Sequence, residues 1–201
     1  MAAGTVARGH RVGFIEVLFL CTGNICRSPM AEAFLRHRLE GRRAHVNVGS
    51  AGLRLVGEPA SANGVDVLAA RGLDISGHRS RILDPELLEG TDLALAMARE
   101  HLREAVLARP DIWPRAFTLK ELVRRGEMIG PRAPGESIDA WLARAHSGRN
   151  RTDLLGSSLD DDVEDPIGLS RSDYEKTADE LSDLVGRLVD LLWPAAAEET
   201  A

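Results

Sequence analysis

The chain has 201 residues, 44% of them hydrophobic and 4% aromatic, which suits one globular unit with a sizeable core better than two. Its formal net charge of -6, with arginines scattered among acids, argues against a general nucleic-acid surface. The two cysteines, Cys21 and Cys26, share one short loop, and a disulfide closing so small a ring is an unattractive stabiliser.

Residues 1–13 carry Arg8, His10 and Arg11 but no apolar run. The run that follows, Phe14 to Leu20, contains Glu16 and is too short for a signal peptide or a membrane helix. Leu20 stands where a lipoprotein signal has a small residue. These features predict a cytosolic protein with reduced cysteines and no membrane or nucleic-acid partner. Flexible termini are expected at 1–11 and 195–201.

Phe14 to Leu20 reads as a first strand. Pro29 then suits the first turn of a helix that buries Ala31, Phe34, Leu35 and Leu39, with Ser28 as its cap. Residues 45–48 read as a second strand, and after Pro59 a helix carries Val65, Leu68 and Ala69 before stopping at Gly72. Leu93 to Met97 is apolar throughout, as in a strand covered on both faces. A helix marked by Leu102, Ala105 and Val106 ends before Pro110, and 115–119 is a weaker strand. Tyr174, Ala178, Leu181, Val185, Leu188 and Leu192 form one helical stripe up to Pro194. This alternation predicts an α/β fold, a doubly wound four-stranded parallel sheet with helices on both faces, as a single domain over 12–194. Residues 127–158 interrupt it with Gly130, Pro131, Pro134, Gly135, Gly148 and Gly156 around a short helix containing Trp141. That stretch reads as an insertion or lid, or equally as a linker without a role.

The first strand hands over to a helix through Cys21-Thr22-Gly23-Asn24-Ile25-Cys26-Arg27-Ser28-Pro29. Ligands of open α/β sheets bind at such carboxyl ends. Gly23 lets the backbone bend so that successive N–H groups converge on an anion at the helix start. Arg27 adds a planar fork able to grip two oxygens. The same positive surroundings favour a thiolate, which is the nucleophilic form of cysteine.

These loop residues closely resemble the signature of the low-molecular-weight protein tyrosine phosphatases. "SAG" at 50–52, "GLDISGHRSR" at 72–81, "FTLKELV" at 117–123 and "DVEDPIG" at 162–168 extend the resemblance over most of 12–126 and 160–194. It implies phosphocysteine chemistry on a phosphorylated protein, with no metal or other cofactor. Cys21 attacks phosphorus, Arg27 and the loop formed by Thr22, Gly23, Asn24, Ile25, Cys26 and Ser28 hold the phosphate, and Asp165 protonates the leaving oxygen. The neighbouring Asp160, Asp161, Asp162 and Glu164 favour a protonated Asp165, although Asp160 to Asp162 also read as a solvated loop. Asn24, Ser50 and His78 match positions that hold the loop in shape, and Ser28 matches the hydroxyl that steadies the thiolate. The blander readings are a turn for Ser50, a surface position for His78 and a helix cap for Ser28. Cys26 has no charge or proton to supply, and its best role is to trap oxidised Cys21 as a reversible disulfide.

Two clues to the substrate conflict. Tyrosine-specific members usually carry aromatic residues after the Asp-Pro pair, where this chain has Ile167 and Gly168, so an aromatic wall has to come from elsewhere, such as Trp141. Arginine phosphatases of the family share the surroundings of 117–123 and 162–166 but tend to have threonine at the position of Ile25. Because Ile25 lies within the phosphate loop, the expected substrate is phosphotyrosine in a protein, with protein arginine phosphatase or thiol-dependent arsenate reductase as alternatives.

Overall fold

The computed structural model describes residues 14–42 and 44–194. The termini expected to be flexible, and the first two residues of the expected domain, lie outside the described residues. Among the described residues, four strands, β1 (Ile15–Cys21), β2 (Val46–Gly52), β3 (Leu93–Ala96) and β4 (Ala116–Thr118), form one parallel sheet in the order β2-β1-β3-β4. The order reverses beside β1, which puts a crevice at its carboxyl end.

Side chains alternate across the sheet because the strand repeat is two residues. Val17, Phe19 and Cys21 face a layer built by α1 (Arg27–Leu39), α2 (Ala62–Ala69), α5 (Leu119–Ile129), α6 (Ile138–His146) and α7 (Arg171–Leu192). Leu18 and Leu20 face α3 (Pro85–Glu89), α4 (Arg99–Ala108) and a 3-10 turn at Pro110–Arg115. Burial on both faces explains why β1 and β3 are almost continuously apolar. Helix α7 is the longest element among the described residues, and its stripe of Ala178, Leu181, Val185, Leu188 and Leu192 is fully buried. No helix among the described residues is long and apolar enough to cross a membrane.

The boundaries differ from expectation where loop residues join the ladder. Strand β1 includes Cys21, and β2 continues through Ser50, Ala51 and Gly52, with Gly52 paired to Cys21. Helix α1 starts at Arg27 with Cys26 at its cap position and no side-chain cap. Ser28 therefore lies inside the first turn and is not the cap. In α2 the buried apolar side chains are Val67 and Leu68, while Ala69 is exposed and Val65 half-buried. Helix α3 and the 3-10 turn have too few residues to show a period.

Residues 127–158 are tied into the body of the protein. Trp141 on α6 is fully buried and donates from Nε1 to the Gly130 carbonyl at 2.9 Å. A Cβ on Gly126 would lie 3.0 Å from the Trp141 ring, so the bare backbone there admits the indole. Arg149 is buried between Trp113 and Phe117, its Cζ 3.8 and 3.9 Å from their ring centroids. It is neutralised by a two-point pair with Glu121.

Candidate active site

The loop after β1 is held from within by Asn24 and from outside by His78. Asn24 is fully buried and, among the described residues, the one non-glycine with positive φ, at 53°. Its Nδ2 donates to Ser28 Oγ at 2.9 Å and to Ser50 Oγ at 2.7 Å, and its Oδ1 accepts from the Arg81 N–H at 3.0 Å. His78 Nε2 donates to the Asn24 carbonyl at 2.6 Å. A Cβ on Gly52 would stand 2.8 Å from Asn24 N, so only glycine lets β2 lie this close beneath the loop.

Cys21 ends β1 inside this frame. Its Sγ accepts from the Asn24 N–H at 3.2 Å and lies 3.0 Å from Ser28 Oγ. Because Ser28 already accepts from Asn24, its own proton is available to the sulfur. The uncapped first turn of α1 adds free N–H dipole, which favours an anion. Cys26, also a free thiol, points away towards Tyr174, with Sγ 3.2 Å from the phenol oxygen. Burial, helped by nearby Asp165 and Cys21, pushes the Cys26 thiol up. Burial and then Cys26 push Tyr174 up to about 12. Both groups are neutral at physiological pH.

Arg27 is almost fully buried and reaches from α1 across the mouth of the loop. It donates from Nη1 to the Val163 carbonyl at 3.1 Å and from Nη2 to Thr22 Oγ1 at 3.3 Å, and it pairs with the Asp165 carboxylate. The Asp165 loop is anchored by the Val163 N–H on the Met97 carbonyl at the end of β3, 2.8 Å away. The acidic run that precedes it is not a solvated strip around Asp165. Asp161 is buried between Arg99 and Arg124, and Asp162 accepts from the Arg99 N–H at the start of α4. Those carboxylates latch the loop to α4 and α5, and the partner of Asp165 is Arg27.

Cys21, Arg27 and Asp165 line one cleft of about 180 Å³. Its walls are aliphatic, from Ile25, Leu55 and Ile167, with Arg54 at the rim. Trp141 is not among its lining residues, being in the core against α5. The structure thus brings together every candidate the loop supplies, with Ser50, His78 and Asp165 added from distant positions. Arg54, Leu55 and His101 were not anticipated, and Gly52 and Arg81, which lie within the matching stretches 50–52 and 72–81, were given no individual role there. His101, on α4, places Nε2 2.9 Å from Thr22 Oγ1. The one signal for it in the sequence is its position just beyond β3, beside the crevice.

This arrangement places a thiol, a loop with inward-facing N–H groups, a guanidinium and a carboxyl group around a single small volume, a set of groups suited to transfer of a tetrahedral oxyanion to sulfur. A family model described as low molecular weight phosphotyrosine protein phosphatase matches residues 16–127. The low molecular weight protein-tyrosine-phosphatase Etp of Escherichia coli (strain K12) is 39% identical over 59% of this chain and 78% of its own length. The protein-arginine-phosphatase of Bacillus subtilis (strain 168) is 31% identical over 89% of this chain and 97% of its own. A crystal structure of a low molecular weight protein tyrosine phosphatase from T. tengcongensis superposes with a TM-score of 0.67 at 36% identity, covering 88% of this chain and 98% of that one. On sequence and architecture together, the chain belongs to the low molecular weight phosphotyrosine protein phosphatase family.

Proposed function

We propose that this protein is a cytosolic phosphatase that hydrolyses phosphotyrosine in protein substrates through a phosphocysteine intermediate. The observation that carries this reading is the convergence of Cys21, Arg27 and Asp165 on one cleft whose wall includes Ile25. Cys21 Sγ attacks phosphorus as the bond to the phenolic oxygen breaks, and Asp165 gives its proton to that oxygen. Arg27 and the loop N–H groups hold the equatorial oxygens as charge redistributes. A phosphoryl oxygen binding Arg27 Nη2 competes with Asp165 for that nitrogen, which releases the carboxyl towards the leaving group. Water then attacks the phosphocysteine, Asp165 takes its proton, and the S–P bond breaks. Asn24, Ser50 and His78 keep the loop open, and Ser28 steadies the sulfur.

One observation favours a second reading, protein arginine phosphatase. The cleft walls are aliphatic, with no aromatic ring among the lining residues, so a phenyl ring gains no stacking partner. Initial rates on a phosphotyrosine and a phosphoarginine peptide, without metal and with Cys21→Ser as the blank, separate the two. Phosphotyrosine is expected to be cleaved faster, and Asp165→Asn to lower kcat about 100-fold. Faster phosphoarginine cleavage reassigns the substrate. Turnover of neither rejects both and brings forward arsenate and small phosphate esters.

A further inference from the structure

His101 is fully buried on the first turn of α4 and has no part in the steps above. Its Nε2 hydrogen-bonds Thr22 Oγ1 at 2.9 Å and lies 3.2 Å from Glu100 Oε1, whereas Nδ1 is buried without a partner among the described residues. Burial, reinforced by the positive charge of Arg27, pushes its pKa down to about 3, so the ring is neutral and has one N–H to place. An orphaned buried donor is rarer and costlier than an orphaned lone pair, which puts the proton on Nε2. Thr22 Oγ1 then accepts twice, from His101 Nε2 and from Arg27 Nη2. A hydroxyl has two lone pairs and one proton. With both lone pairs taken, the proton of Thr22 is left for the third direction, and Thr22 lines the cleft.

We propose that His101 is a positioning residue: by donating to Thr22, it turns the Thr22 hydroxyl proton into the cleft, where it donates to an oxygen of the bound phosphoryl group. Without that donor, the hydroxyl is free to present a lone pair to an anionic oxygen, which repels it. The inference rests on the phosphatase reading for its ligand and extends the phosphate-holding machinery to β3–α4.

Binding of inorganic phosphate by calorimetry, alongside rates on the phosphotyrosine peptide, tests this in variants of the full chain. His101→Leu removes the donor, His101→Gln carries an amide N–H near the place of Nε2, and the amide of His101→Asn is too short to reach Thr22. Thr22→Val removes the hydroxyl. His101→Leu and Thr22→Val are each expected to weaken phosphate binding about 5- to 10-fold. The double variant should bind no more weakly than Thr22→Val alone, and His101→Gln should recover most of the binding that His101→Asn loses. Equal cost of His101→Leu with and without the Thr22 hydroxyl overturns the proposal, as does an equal loss in the Gln and Asn variants. If His101→Leu does not fold, the Gln and Asn pair decides. This pattern of phosphate binding in a protein that turns over no phosphopeptide would support the His101 role while removing the phosphatase reading.

Discussion

Asn24 holds φ at 53° while its amide makes three hydrogen bonds, to Ser28, Ser50 and the Arg81 N–H. A left-handed backbone costs an ordinary residue about 1–2 kcal/mol, and asparagine tolerates it best after glycine. The side chain thus satisfies two requirements at once, the bend of the loop and the spacing between the loop and β2. Asn24→Ala fails both and leaves buried polar partners unpaired. Its unfolding free energy should fall by about 2–4 kcal/mol, read from urea denaturation, with a loss of phosphate binding. Asn24→Gly relieves the backbone but not the hydrogen bonds, so it should regain about 1 kcal/mol of stability and none of the binding. Wild-type stability in Asn24→Ala would show that Ser50, His78 and Gly52 suffice to shape the loop.

The elements readable from sequence are those whose pattern is long or uniform. The stripe of α7 repeats over its whole length, and β1 and β3 are apolar on both faces, so period and composition agree there. Contiguity made the loop from Cys21 to Arg27 legible, since its chemistry lies within a single turn of chain. His101 reaches the site only through strand order, which no local pattern records; Gly52 and Arg81 lie within the stretches 50–52 and 72–81, but their contacts with Asn24 depend on β2 lying beneath the loop. Buried charge misleads in the other direction: Asp161 reads as part of a solvated loop, yet it is held by Arg99 and Arg124, and nothing local marks Arg149 for its place between Trp113 and Phe117. Trp141 shows the same effect on an element. Its glycine- and proline-rich flanks read as an insertion or lid, or as a linker without a role, and they give no sign that the indole fills the gap Gly126 provides. Trp141→Ala is therefore expected to cost about 3–5 kcal/mol of stability and to leave the ratio of phosphotyrosine to phosphoarginine rates unchanged at temperatures where the variant is folded. A changed ratio would return α6 to the substrate pocket.

Across the whole molecule, the buried titratable groups decide how stability depends on pH. His101 is neutral when folded, its pKa pushed down to about 3 by burial and by Arg27, against about 6.5 when unfolded. Between those values the unfolded chain carries a proton that the folded chain does not. Stability therefore falls as pH drops below about 6.5, continues to fall towards 3, and takes no further loss from this ring below that. His146, lowered by burial and by Arg149 and Arg125, acts in the same direction. Asp161 acts in a lower window. Burial raises its carboxyl, but hydrogen bonds from Arg124 and Arg99 outweigh burial and the net shift is downward. Its stabilisation is present above an unfolded value of about 3.9 and is lost as pH falls through the folded one. Between about pH 6.5 and 4.5 acid sensitivity thus belongs to the histidines. The urea midpoint of the wild type should decline over that range, and that of His101→Gln should decline less, because glutamine does not titrate. Asp161→Asn should instead start lower at neutral pH and converge on the wild type only below about pH 4. Parallel curves for wild type and His101→Gln would mean that the folded protein protonates His101. A cationic ring beside Arg27 would then need Glu100 as its counter-ion, and the Thr22 hydroxyl would face two positive donors in place of one.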